Sequence, residues 1–155
     1  MKFLVTTKLK QNPLLKFVVL FLVAILGIFL LTDLVLYHLQ IGLTLERATE
    51  TLLGHEEAFI EPIIFEVLLE RIHIGIFTSM ITLILLSIIY MRVLDTEKSK
   101  VIHLAFITAI LSPIVLLLAY VYGTAFIVLW IALFVLWHLF GVYLALHTVW
   151  SLLKT

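Results

Sequence analysis

Four long apolar stretches decide what this chain can become. A helix crossing about 30 Å of hydrocarbon needs roughly 20 predominantly apolar residues. Stretches at about 14–38, 66–92, 101–122 and 125–152 meet that need within 155 residues. A hydrophobic share of 64% leaves too few polar groups to cover a soluble domain, so lipid must be the solvent for most of the surface. The fold expected is an all-α integral membrane protein. It forms one domain over residues 1–155, a four-helix transmembrane bundle with an extracytoplasmic amphipathic helix between spans one and two.

The first span follows several lysines, as a signal peptide would. Its apolar run is too long for a typical signal core, and no small-residue cleavage site precedes Asp33, so it reads as a retained span. Lys2, Lys8, Lys10, Lys16, Arg92, Lys98, Lys100 and Lys154 are eight of the ten basic residues and fall on one side. By the positive-inside rule that side is the cytoplasm, which places both termini there in a cytoplasmic or inner membrane. The opposite side receives the 39–71 connection, with seven glutamates against Arg47 and Arg71.

Within that connection, "LTLERATETLLG" reads as a short helix stopped at Gly54, with Leu43, Leu45, Leu52 and Leu53 available for membrane or bundle. Pro62 fits the first turn of a new helix, so span two is expected to begin near Ile63 and project two to three turns beyond the membrane.

The absence of cysteine excludes disulfides, thiolate metal sites and iron–sulfur clusters. A net charge of zero gives no basic patch for nucleic acid. The chain has no phosphate-binding glycine loop, nucleophile elbow or paired zinc-protease motif, and an autonomous enzyme is not expected.

Chemistry is expected at the six histidines, because ionisable groups at membrane depth are costly and mark function. Counting along the helices puts His38 and His73 near the outer boundary, His103 and His147 near the inner one, and His138 deeper. Bis-imidazole haem ligation needs two histidines on facing helices and space for the macrocycle. His38, His73 and His138 are the ligand candidates. Gly141 and Ala145 share a face with His138, whereas Gly75 and Ser79 lie almost opposite His73. At mid-membrane, a hydrogen bond from His138 to a neighbouring helix is an equal alternative.

Glu66, Glu70 and His73 share another face and form a candidate metal site, one copy of the Glu-x-x-His spacing that helix-bundle di-iron proteins use twice. Solvated glutamates with Arg71 paired locally are the plainer alternative. Asp33 has two readings: it lies at the boundary if helix one starts at Leu14. If that helix runs from Phe17 to Gln40, Asp33 is buried two turns deep beside Tyr37 and Gln40 and suits proton or cation handling. Gly75/Ser79 and Gly141/Ala145 permit close helix approach, and a second protein-seeking face on span two implies a homo-oligomer or partner membrane subunit. Ser112–Pro113 should kink span three.

In outline, four helices with histidines at the membrane edges, the chain is similar to haem-bearing anchor subunits of respiratory complexes; the likeness is architectural only. The expected function is a small four-span protein binding haem b for electron transfer or anchoring a partner. The alternatives are a cofactor-free membrane subunit or interaction protein, and a metal- or proton-handling membrane protein.

Overall fold

A computed structural model describes residues 12–94 and 100–154. Lys2, Lys8, Lys10 and Lys98, which carry half of the charge asymmetry, lie outside the described residues. The elements of the described residues are helices: α1 (Pro13–Gln40), α2 (Leu45–Leu53), α3 (Phe65–Leu94), α4 (Lys100–Tyr122) and α5 (Thr124–Leu153). All except α2 are long and apolar enough to cross a membrane. At 1.5 Å per residue they measure about 35–45 Å, longer than the hydrocarbon, so their ends reach the headgroups or the helices tilt.

Each helix starts or stops where its local chemistry requires. The Asn12 side chain accepts hydrogen bonds from the Leu14 and Leu15 amides, and Pro13 loses nothing in the first turn, where its missing N–H would have no partner. At the other end of α1, Arg47 Nη2 donates to the Leu39 carbonyl at 2.9 Å, placing a cation at a helix C-terminus. A single residue, Gly123 at φ 86°, turns α4 into α5, and these two helices form the most extensive pair.

The core is a set of apolar stripes at helical spacing. Val19, Val23, Leu26 and Leu30 from α1 meet Ile127, Trp130, Phe134 and Trp137 from α5, with Leu83, Leu86, Ala105, Ala109 and Leu116 contributed by α3 and α4. The exposed faces are equally apolar, including Phe17, Phe21, Phe77, Ile88, Leu139 and Leu146, as a lipid-facing surface requires.

The connection between spans one and two differs in part from expectation. The amphipathic helix is present, with Thr44 at its N-cap and Gly54 at φ 79° as its stop. It rests on the bundle through Ala48 and Leu52, while Leu45 and Leu53 remain exposed. The acidic stretch after it is not a helical extension of span two. His55 and Ile60 exchange backbone hydrogen bonds of 2.9 and 3.1 Å, closing a tight loop, and Phe59 stands at its tip, 95% exposed at φ 53°. The Ile63 amide donates to the Thr51 carbonyl at 2.8 Å, tying the segment to α2. That bond holds the Pro62–Ile64 segment outside a helix, and α3 starts at Phe65 rather than at Ile63.

Candidate functional site

The approach of α1 to α5 is set by one small residue. Gly141 leaves room for Leu30: a Cβ at Gly141 would lie 3.0 and 3.2 Å from the Leu30 methyls. One turn further along, Asp33 meets His138, and one turn beyond that Tyr37 meets Phe134 with ring centroids 4.5 Å apart. The three contacts form an antiparallel ladder in steps of three and four residues, the spacing at which one helical face repeats.

The middle rung carries the chemistry. Asp33 Oδ2 lies 3.1 Å from His138 Nε2, and the other ring nitrogen, Nδ1, lies 2.8 Å from the Phe134 carbonyl. The side chains are 13% and 3% exposed. A carbonyl oxygen can only accept, so Nδ1 carries a proton. The Nε2–Oδ2 contact then needs a proton of its own, because a bare imidazole nitrogen facing a carboxylate sets lone pair against lone pair. Whether that proton resides on nitrogen or oxygen, the pair is neutral overall. A neutral pair avoids the roughly 2.5–3.5 kcal/mol that a single charge costs at the centre of a spanning helix. Asp33 and His138 therefore make a one-proton site. The Phe134 and Trp137 rings lie against the imidazole, at centroid distances of 4.3 and 3.7 Å and tilted by 52° and 41°.

Asp33 also opens onto a crevice. A cavity of about 260 Å³ lies between α1 and α3, lined by Asp33, Tyr37 and Gln40 on one side and by Glu70, Arg71, Gly75 and Thr78 on the other. Its lips are Leu36, Val67 and Ile74. The gap exists because α1 and α3 touch only sparsely, α1 packing mainly on α5 and α3 on α4 and α5 alike. Tyr37 closes the inner end: its hydroxyl occupies the space a Gly75 side chain would fill, 2.6 Å from that Cβ position, and donates to the Arg71 carbonyl at 3.4 Å. Beyond this neck a small cleft continues among Ser79, Ser112, Pro113 and Trp137, with Asp33 lining both spaces. Pro113 has no amide to offer the Ala109 carbonyl, so the cleft wall at that turn of α4 lacks one backbone hydrogen bond.

The candidate haem ligands differ in their surroundings. His38 and His73 are exposed, and His138 has both nitrogens engaged. The space beside Gly141, read as room for a macrocycle, is filled by Leu30. Glu66, Glu70 and His73 are all exposed, and among the described residues no three histidine or carboxylate side chains gather as a metal-holding group. Arg71 does not pair locally: among the described residues its guanidinium enters no hydrogen bond or ion pair, and its Nε is buried without a partner. His147 sits among the rings of Tyr90, Tyr143 and Trp150 near the far end of α5.

Nothing in the linear order of residues pairs Asp33 with His138. Counted from the nearer helix end, Asp33 lies about 10 Å deep and His138 about 21 Å. The counts disagree because α5 begins higher than α1 ends: Tyr37, three residues before the end of α1, sits beside Trp130 and Phe134, six and ten residues into α5. Gly141, three residues after His138, was the available signal, since it marks where another helix comes close.

Fold and site together define a small multi-pass membrane protein with a buried acid–imidazole pair. Residues 42–155 match the Aq_1264_TM family, a transmembrane helical domain, and the chain belongs to that family. The matched region contains His138 and Arg71 and excludes α1, which supplies Asp33 and Tyr37. No curated protein and no solved structure matches the chain.

Proposed function

We propose that this is a proton-handling membrane protein in which Asp33 and His138 bind and release one proton inside the bundle. The observation that supports this most is the 3.1 Å contact between two ionisable groups at membrane depth, one of them bordering an open crevice. Loss of the proton leaves a carboxylate facing an imidazole lone pair, so protonation is coupled to the fit of α1 against α5. By the placement of lysine and arginine, the crevice opens on the extracytoplasmic side and both termini are cytoplasmic. The exposed row Glu66, Glu70 and His73 is the face available to a partner membrane subunit or a second copy. Haem b ligation by His138 would require breaking its contact with Asp33 or Phe134, and a reduced-minus-oxidised optical spectrum of purified protein is its direct test.

Trp137 reports on the pair, because a protonated imidazole quenches indole emission at contact distance. In a chain carrying Trp130→Phe and Trp150→Phe, Trp137 emission should change with pH. His138→Gln should abolish that change, and Asp33→Asn should alter it. A flat profile in the His138-containing chain would contradict the proposal.

A further inference from the structure

Arg71 poses a separate problem. It lies on the second turn of α3 and lines the crevice, its Nε is sealed from solvent, and among the described residues the guanidinium has no partner. Two carboxylates line the same cavity. Asp33 is committed to His138, and Glu70 is exposed at the rim and makes no ion pair among the described residues. A half-buried guanidinium without a counter-charge is unfavourable, and its planar fork matches phosphate oxygens. The lips of the crevice are exposed Leu36, Val67 and Ile74, an apolar rim on two candidate membrane spans.

We infer that the crevice between α1 and α3 holds the phosphoryl head of an anionic membrane lipid, with Arg71 as its counter-ion and the acyl chains leaving over Leu36 and Ile74. The charge identifies the head group as anionic, and the apolar lips identify the source as the bilayer rather than the aqueous phase. Gln40 adds an amide along the cavity wall. A cavity of about 260 Å³ accommodates a phosphate with its glycerol and not a whole lipid, which is why the chains must lie outside. The inference does not rest on the proton reading, since Arg71 is not part of the Asp33–His138 pair.

The test is native mass spectrometry of the full chain released from detergent with added dioleoyl-phosphatidylglycerol. A one-lipid adduct is expected, weakened roughly fivefold in Arg71→Gln, the effect of losing about one basic contact to an anionic lipid. Ile74→Trp, which fills the mouth without altering the charge, should weaken the same adduct. Lys154→Gln at the far end of α5, where Lys154 lies 3.4 Å over Trp150, should not. Added dioleoylglycerol, which lacks the phosphate, should give no Arg71-dependent adduct. An adduct unchanged in Arg71→Gln overturns the inference, as does displacement of the lipid by millimolar inorganic phosphate.

Discussion

At the scale of single residues, the pair can be separated into hydrogen bonding and proton exchange. An asparagine at position 33 can donate its amide hydrogen to His138 Nε2 and keep α1 attached to α5, whereas an alanine leaves a nearly fully buried imidazole nitrogen unpartnered. Hydrogen bonds between membrane helices contribute about 0.6 kcal/mol on average and up to about 1.7 kcal/mol. Asp33→Asn should therefore change stability by less than about 1 kcal/mol while perturbing the pH response. Asp33→Ala should cost about 1–3 kcal/mol in reversible unfolding from mixed micelles, the range for a buried polar group left unsatisfied. Equal costs for the two substitutions would show that the hydrogen bond contributes nothing.

At the scale of helices, two glycines control how closely their neighbours approach. Gly75 and Gly141 look alike in sequence, since each begins a small-residue pair four apart, yet they receive different things. Gly141 accepts the branched end of Leu30, which can shift slightly; Gly75 accepts the Tyr37 hydroxyl at a separation that allows no methyl group. Gly75→Ala should displace Tyr37 from the crevice neck and cost about 1–3 kcal/mol, the usual range for overpacking, with Gly141→Ala below it. The reverse order would place the tighter contact at α1 and α5. The extent of the four spans was readable because runs of 20 or more apolar residues admit little else. The His55–Ile60 loop was not, because Pro62 is compatible with both a helix start and an extended approach. A backbone bond from Ile63 to Thr51, invisible in one-dimensional order, decides between them.

At the scale of the whole molecule, membership of a transmembrane helical domain family and four candidate spans agree with a composition that only lipid can solvate. Orientation rests on charge, and the cysteine-free chain allows a clean test. A single Glu57→Cys should react with a membrane-impermeant maleimide in intact cells, and Lys154→Cys only after permeabilisation; the opposite pattern would invert the topology. What the sequence could not show was the vertical offset between α1 and α5, which aligns Asp33 with His138 although their counted depths differ. The proton proposed to lie between Asp33 and His138 is observed directly by nitrogen-15 NMR of His138 in labelled protein. Nε2 should be protonated or hydrogen-bonded in the natural chain and revert toward a bare ring nitrogen in Asp33→Ala. A bare, unbonded Nε2 in the natural chain, unaffected by Asp33→Ala, would contradict the proposal.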